Sequence, residues 1–212
     1  MSWLSRLFSA SREADALPGA LRARLADWAA RPAADPRLTH AETRYAVLNT
    51  RASAVDADAA SLQSVAAIVV ENGRISPQAS FHAALGDDAE PLVTLLETVG
   101  RGPVVVFNAE LNRTLVERAL RRHLGIVPDW TWLDLYWLLP ALFGEVHAKP
   151  VRLSRWMDSL DLHTFRRFHA LGDAWVLARL LLAVQSRALA EGRLSPASLA
   201  DLEASLRAVV RR

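Results

Sequence analysis

The sequence lacks cysteine altogether, contains a single lysine and has no long uncharged stretch. Without cysteine there is no disulfide, no thiol nucleophile and no cysteine-ligated zinc or iron–sulfur site. The longest charge-free runs, such as 59–70, span about a dozen residues, whereas a transmembrane helix needs ~20 apolar residues. Arg6 interrupts the apolar run of residues 1–10, which makes a poor secretory signal. We therefore expect a soluble, cytoplasmic protein without a transmembrane segment.

The length and composition of the chain suit one globular domain. It has 212 residues, of which 51% are hydrophobic, so it can bury a sizeable core. Arginine supplies every basic residue except Lys149, but a net charge of +2 does not by itself indicate a nucleic-acid-binding protein. Because guanidinium groups bind phosphate well, a local cluster of arginines would point to that function.

Residues 1–38 are predicted to form a helical extension that ends in a linker. They contain two apolar stripes at helical spacing, Trp3-Leu4-Leu7-Phe8 and Leu21-Leu25-Trp28-Ala29, before the segment 31–36 (RPAADP) breaks the helix. The first stripe either binds a protein partner or a membrane surface, or packs on the chain's own surface. Residues 39–192 are predicted to form the main domain, and residues 193–212 a C-terminal helix packed against it.

The main domain opens with three predicted strands and continues with helices and short strands in alternation. The apolar patterns predict strands over 44–50, over 62–71, and at 75 and 80–85, with Asn72-Gly73 as a hairpin turn. Short strands are expected over 103–107 and 131–133, and helices over 90–99, 111–124, up to Phe143, 153–160, 169–190 and after Ser195-Pro196. This order predicts an α/β fold in which helices cover both faces of a mixed sheet.

Three segments combine polar side chains with a strand end or a helix start. Residues 47–56 (VLNTRASAVD) end the first strand, residues 107–112 (FNAELN) begin a helix, and residues 168–174 (FHALGDA) open the longest helix. In order and spacing they resemble the three motifs of the DnaQ-like (DEDDh) 3′–5′ exonucleases, a family that includes the proofreading subunit of bacterial DNA polymerase III. The resemblance covers about residues 44–184 and implies a ribonuclease H-like fold.

In that family, four carboxylates hold two Mg²⁺ or Mn²⁺ ions, and a histidine activates the attacking water. The matching positions here are Asn49, Arg51, Asn112, Phe168 and Asp173, so one carboxylate is kept and the histidine is lost. Two divalent ions require several anionic oxygen ligands, and a guanidinium among them repels the metal. The departures from the family pattern imply a catalytically inactive homologue, a pseudo-exonuclease without metal, cofactor or catalytic residue, that acts as a nucleic-acid-binding or protein-scaffold module.

Other titratable residues leave an alternative open. Asp56, Asp58 and Glu110 lie near the motif positions in the sequence, and His169 comes one residue after the position of the family's histidine. Together they could rebuild a displaced metal site, and the chain would then be a functional or residual 3′–5′ exonuclease of the polymerase III epsilon-subunit type. Asp134 matches a family position that is not a metal ligand, so it does not support this alternative.

Arginines near the matched site are the candidates for binding nucleic acid. Arg166 and Arg167 flank the mouth of the family's cleft, so with Arg51 and His169 they are the predicted contacts to single-stranded nucleic acid. Four more arginines share the polar side of one predicted helix: Arg113, Arg118, Arg121 and Arg122. They either contact phosphate or lie on a solvated face, where Glu117 is spaced to form i,i+4 pairs with two of them.

Arg51 and Asp173 are expected to contact each other. Without a metal, Asp173 would be a partly buried carboxylate that lacks a counter-charge, which is costly. Arg51 is placed to supply that charge, because its planar fork can bind a carboxylate through two parallel hydrogen bonds. The alternative is that Arg51 points outward and meets a phosphate of the ligand.

Overall fold

Five strands form one mixed sheet in the order β3-β2-β1-β4-β5. The computed structural model describes residues 16–54, 60–164 and 169–210. Within them the strands are β1 (Tyr45–Ala52), β2 (Leu62–Glu71), β3 (Arg74–Ala84), β4 (Val104–Val106) and β5 (Trp132–Asp134). The first three strands pair antiparallel, whereas β4 runs parallel to β1 and β5 runs parallel to β4. The predicted mixed sheet and the antiparallel pairing of its first two strands are therefore confirmed.

The turn between β2 and β3 has the geometry that its sequence predicts. Asn72 and Gly73 both have positive φ angles, of 52° and 68°. A two-residue hairpin of the mirror-image type needs positive φ at both central positions, and asparagine followed by glycine tolerates it best. This turn sets the register of β3 on β2 as far as the pair of Val69 with Ser76. A register shift between Ala67 and Val69 then sets the pairing farther along the two strands, where Ala66 is opposite His82.

Seven helices within the described residues flank the sheet. They are α1 (Gly19–Ala30), α2 (Glu90–Val99), α3 (Ala109–Leu124), α4 (Leu135–Leu142), α5 (Leu153–Ser159), α6 (Ala170–Ala190) and α7 (Pro196–Val210). Their bounds differ from the predicted ones by at most two residues, which is the usual uncertainty of helix ends. None of these helices combines the length and the apolar character that crossing a membrane requires.

The two faces of the sheet carry separate apolar layers. In β1, Tyr45 and Val47 point to the layer that α4, α5, α6 and α7 complete, while Ala46 and Leu48 point to the layer completed by α1, α2 and α3. Successive side chains of a strand face opposite sides, so a strand that is apolar at every position is buried on both faces. Helices therefore cover both faces, as the sequence predicts.

The second apolar stripe of the N-terminal extension packs against α2. Leu25 and Trp28 of α1 are fully buried, and the Trp28 indole N–H donates a hydrogen bond of 3.2 Å to the carbonyl of Gly100. Arg24 adds an ion pair of 2.6 Å with Glu97. The first stripe, at residues 3–8, lies outside the described residues. The division into units 1–38, 39–192 and 193–212 stays a prediction.

Candidate nucleic-acid site

The residues that match the exonuclease motifs come from three elements at the carboxyl edge of the sheet. Asn49 and Arg51 lie in the second half of β1, Asn112 lies in the first turn of α3, and Asp173 lies in the first turn of α6. The amide of Asn49 donates a hydrogen bond of 3.3 Å to the carbonyl of Ala170, which connects β1 to the start of α6. Ligand sites of open α/β sheets commonly lie at this edge.

Asn112 is buried, and both the oxygen and the NH₂ group of its amide are hydrogen-bonded. Its oxygen accepts a hydrogen bond of 2.8 Å from the hydroxyl of Thr50. Its NH₂ group donates to the carbonyls of Phe107 (2.9 Å) and Asn108 (2.8 Å), so both donors are used. Asn108 has a positive φ of 70° and no side-chain cap, so the Asn112 side chain holds together the turn that begins α3. Asn112 therefore has a structural role, and that role depends on its amide group.

Asp173 is half-buried, and Arg51 and His169 act electrostatically on its carboxyl. Burial raises the pKa of its carboxyl above the ordinary value, and the positive charges of Arg51 and His169 offset part of that rise. Among the described residues, however, no ion pair joins Arg51 to Asp173. The expected direct contact is therefore wrong. The Arg51 side chain is exposed, where water solvates its guanidinium, and its charge acts on Asp173 at longer range.

His169 meets a second histidine that the sequence analysis does not single out. Its ring centroid lies 4.8 Å from that of His82, at an interplanar angle of 34°. His82 lies on β3 opposite Ala66 of β2, and Ala66 belongs to the apolar layer that α6 covers. Burial, together with the positive charge of His169, lowers the pKa of His82. The Nδ1 atom of His169 is buried and has no hydrogen-bond partner among the described residues.

The side chains at this edge do not fit a pair of divalent metal ions. Within residues 16–54, 60–164 and 169–210, no group of three or more histidine, aspartate or glutamate residues is placed to hold one. Of the matched positions described, Asp173 alone offers an anionic oxygen, the amide oxygen of Asn112 is already occupied, and Arg51 brings positive charge. Phe168, Asp56 and Asp58 lie outside the described residues.

Glu110 does not join the candidate site. It lines a separate cavity together with Trp132 at the end of the sheet and Arg207 of α7, on the opposite side of the α3 start from Asn112. Helix geometry accounts for this, because positions two residues apart do not share a face of a helix. Glu110 therefore gives no support to a rebuilt metal site.

Asp134 is a buried structural acid that connects three elements. Its carboxylate accepts hydrogen bonds of 2.8–2.9 Å from three backbone N–H groups, those of Asn108, Ala109 and Tyr136. Arg207 of α7 adds a longer contact of 3.3 Å, and Glu203 accepts a hydrogen bond of 2.8 Å from the Asp134 backbone N–H. Burial raises the pKa of both carboxyls. The sequence analysis does not identify this network. Two local features could have indicated it: an acid directly before the apolar α4, and the i,i+4 spacing of Glu203 and Arg207.

The arginines of α3 divide into paired and unpaired residues. Arg113 forms the predicted i,i+4 ion pair with Glu117, at 2.7 Å. The second predicted pair, between Glu117 and Arg121, is not formed, and neither Arg121 nor Arg122 has an ion pair in the described part of the chain. Both are exposed and can meet an external anion. Arg166 and Arg167, the other predicted contacts, lie outside the described residues.

Solved structures with a similar fold include exonuclease I and a cell-death related nuclease. Exonuclease I from Methylocaldum szegediense superposes with a TM-score of 0.55 at 13% identity over 68% of this chain and 41% of that one. Exonuclease I of E. coli in complex with a dT13 oligonucleotide gives 0.51 at 10% identity over 69% and 42%. Cell-death related nuclease 4 (CRN-4) gives 0.50 at 12% identity over 73% and 66%.

These similarities establish the fold. The chain spans about two fifths of the length of the exonuclease I structures. No protein-family model and no curated protein matches the sequence. The chain has a ribonuclease H-like mixed sheet, flanked by helices and followed by a C-terminal helix.

Proposed function

We propose that the chain is a pseudo-exonuclease that binds single-stranded nucleic acid at the carboxyl edge of its sheet without hydrolysing it. The observation that carries the proposal is the amide of Asn112. By the motif resemblance it occupies a position where the family has a metal-binding carboxylate. Its NH₂ group bonds to the turn that begins α3, and its oxygen accepts from Thr50 of β1. A two-metal mechanism needs several carboxylates at this edge, and Asp173 is the one carboxylate among the matched positions.

Exposed cationic groups support binding. Arg51 lies at the carboxyl end of β1, is exposed, and has no ion pair within the described residues. A guanidinium in that position can bind a phosphodiester through two parallel hydrogen bonds. We include His169, Arg166 and Arg167 as further contacts. Phosphate contacts carry affinity without sequence information, so the binding is expected to be tolerant of sequence and sensitive to salt.

The solved structures supply a second argument for this ligand. One of the exonuclease I structures with a similar fold contains a bound dT13 oligonucleotide. The same fold can therefore hold single-stranded DNA, and the arginine at this edge gives the present chain a group suited to phosphate. Scaffold activity without nucleic acid, a protein partner for residues 1–38 and a cytoplasmic location stay predictions.

A combined cleavage and binding assay tests the proposal. Single-stranded DNA and RNA oligonucleotides labelled at the 5′ end are incubated with the chain in millimolar Mg²⁺ or Mn²⁺, and binding is followed by fluorescence anisotropy. The expected result is saturable binding with every oligonucleotide recovered at full length. Shortening from the 3′ end that disappears in Asp173→Ala would instead establish the residual exonuclease.

A further inference from the structure

A row of paired residues across three strands connects the candidate site to His82. Asn49 of β1 pairs with Ala66 of β2, and Ala66 pairs with His82 of β3. Residues directly opposite each other on neighbouring strands point their side chains to the same face of a sheet. Ala66 belongs to the apolar layer that α6 covers. The side chains of Asn49 and His82 therefore share the face on which α6 lies.

The start of α6 contacts both ends of this row. At one end, the amide of Asn49 donates a hydrogen bond of 3.3 Å to the carbonyl of Ala170. At the other end, the ring centroid of His169 lies 4.8 Å from that of His82. The middle of the row is the small, fully buried Ala66, which leaves room for the helix start. Contacts between described residues thus connect His82 to the candidate site.

A second row on the same face leads from His82 to Arg51. Arg51 pairs with Ser64, and Ser64 pairs with Ala84, two residues beyond His82 in β3. Arg51 and Ala84 are exposed, and Ser64 is partly exposed. Because strands lie ~4.8 Å apart and rise ~3.3 Å per residue, the Cα atoms of Arg51 and His82 are about 12 Å apart. Only the small side chains of Ser64 and Ala84 lie between them in this row.

His82 presents an aromatic ring that carries no charge at pH 7. Burial, together with the positive charge of His169, lowers the pKa of His82 below its ordinary value. The two rings are tilted by 34° at a separation that is typical of aromatic pairs. His82 is nevertheless exposed overall, so the part of its ring that faces away from His169 is open to a ligand. Such a ring suits the flat face of a base.

Asp173 favours a base over a phosphate beside the two rings. It lies one helical turn after His169 in α6, and its half-buried carboxyl interacts with the charges of His169 and Arg51. A phosphate next to the rings would meet this carboxylate as a like charge, whereas an uncharged base would not. The phosphates are better placed at the exposed guanidinium of Arg51. The two chemical parts of a nucleotide thus have separate places on this face.

We infer that the ring pair of His82 and His169 is a stacking platform for a base of the single strand whose phosphate contacts Arg51. This inference rests on the proposed function. Every base has a flat π-face, so stacking on such a ring adds affinity without sequence selectivity. His82 is the part of the platform that nothing in the sequence pattern singles out, and it can be changed without altering the start of α6.

Two substitutions of His82 separate stacking from other roles. His82→Ala removes the ring, whereas His82→Phe keeps an aromatic ring without any charge or hydrogen-bonding group. Gln78→Ala, at an exposed position four residues earlier in β3, is the matched control. Binding of dT13 and of an abasic 13-mer that keeps every phosphate is measured by fluorescence anisotropy at several salt concentrations. Arg51→Ala is included as the phosphate-contact variant, and thermal melts check the fold of each variant.

The native chain is expected to bind dT13 at least about fivefold more tightly than the abasic 13-mer. His82→Ala should weaken dT13 binding about fivefold with an unchanged salt slope, while His82→Phe and Gln78→Ala stay within about twofold of the native chain. Arg51→Ala should instead weaken the binding of both oligonucleotides and reduce the salt slope by ~0.7.

Three results would overturn the platform while an effect of Arg51→Ala kept the proposed function. The first is equal binding of dT13 and the abasic 13-mer by the native chain. The second is His82→Phe binding as weakly as His82→Ala, or a reduced salt slope in His82→Ala, which would identify a polar or phosphate contact. The third is a lower melting temperature of His82→Ala with unchanged binding, which would identify a purely structural ring contact. A native chain that binds neither oligonucleotide would end both proposals.

Discussion

The hydroxyl of Thr50 donates a hydrogen bond of 2.8 Å to the amide oxygen of Asn112. This contact joins the end of β1 to the first turn of α3 at the position where a DnaQ-like exonuclease would have a metal ligand. The amide NH₂ meanwhile donates to two backbone carbonyls. The two bonds to the carbonyls require the NH₂ group, because a carboxylate has no donor, so the local structure suits an amide and not a carboxylate at this position.

Asn112→Asp should destabilise the fold by about 1–3 kcal/mol, the cost of leaving buried polar groups unsatisfied. The new carboxylate oxygen would face the carbonyls of Phe107 and Asn108, which both lose their donor. Asn49→Asp is the matched control, because Asn49 gives up a single long bond of 3.3 Å. Urea denaturation measures the free energy of unfolding of both variants. Equal losses would show that the hydrogen bonds of Asn112 contribute no more to stability than the single bond of Asn49.

Asp173→Asn should raise the melting temperature at pH 7 by about 1–3 °C. Burial raises the pKa of Asp173 in the folded chain. A carboxyl with a raised pKa costs stability once the pH exceeds its value in the unfolded chain, and a neutral isostere removes that cost. The gain should shrink as the pH falls toward 3.8, where the carboxyl is increasingly protonated in both states. Thermal melts across pH 4–8 check this, and a gain that grew toward low pH would contradict it.

Asp134→Asn should destabilise the fold, whereas Asp173→Asn should stabilise it. Asp134 accepts hydrogen bonds from three backbone N–H groups, and an amide would turn its own donors toward some of them. We expect a loss of about 1–3 kcal/mol, although the pKa of this carboxyl is also raised by burial. The same thermal melts compare the two variants. If Asp134→Asn left the melting temperature unchanged, the cost of burying the carboxylate, and not its hydrogen bonds, would dominate the stability at this position.

Arg51→Ala should weaken the binding of single-stranded oligonucleotides about threefold to tenfold, the effect of losing one charged phosphate contact. The melting temperature should stay unchanged, because Arg51 is exposed and has no ion pair in the described part of the chain. Arg74→Ala, at the hairpin on the opposite edge of the sheet, removes an equally exposed charge as the control. A large drop in melting temperature for Arg51→Ala would instead support an internal ion pair between Arg51 and Asp173.

The sequence predicts the elements better than it predicts the contacts of the site. The bounds of β2 and α2 are matched residue for residue, because the Asn72-Gly73 turn and Gly100 end them with local signals. The meeting of His82 with His169 depends on the pairing of β3 with β2, which contains a register shift between Ala67 and Val69. No local pattern announces that shift, so His82 could not be identified.

The expected ion pair between Arg51 and Asp173 failed for a related reason. Both positions were placed at the edge correctly, but their separation depends on the twist of β1 and on where α6 begins. Solvation of an exposed guanidinium also competes with a surface ion pair, which contributes little on average. The network of Asp134, Glu203 and Arg207 joins residues about 70 positions apart, and its parts were visible in the sequence only as separate capping and pairing signals.

Gly102→Ala should destabilise the fold strongly, by about 2 kcal/mol or more. A Cβ atom at Gly102 would collide with the backbone carbonyl oxygen of Arg44, just before β1, and backbone cannot yield as a side chain can. Gly86→Ala is the matched control, because nothing lies within 4 Å of its added Cβ. Thermal unfolding compares the two, and similar melting temperatures would contradict the close approach of these segments.

The most direct measurement of the central claim is the affinity for a single-stranded oligonucleotide with and without divalent metal at constant ionic strength. The account predicts the same Kd within about twofold in EDTA and in millimolar Mg²⁺ or Mn²⁺, because arginines and not bridging metals hold the phosphates. The oligonucleotide should be recovered intact after hours at saturation. Binding that requires the metal, or loss of 3′ nucleotides in its presence, would contradict the claim.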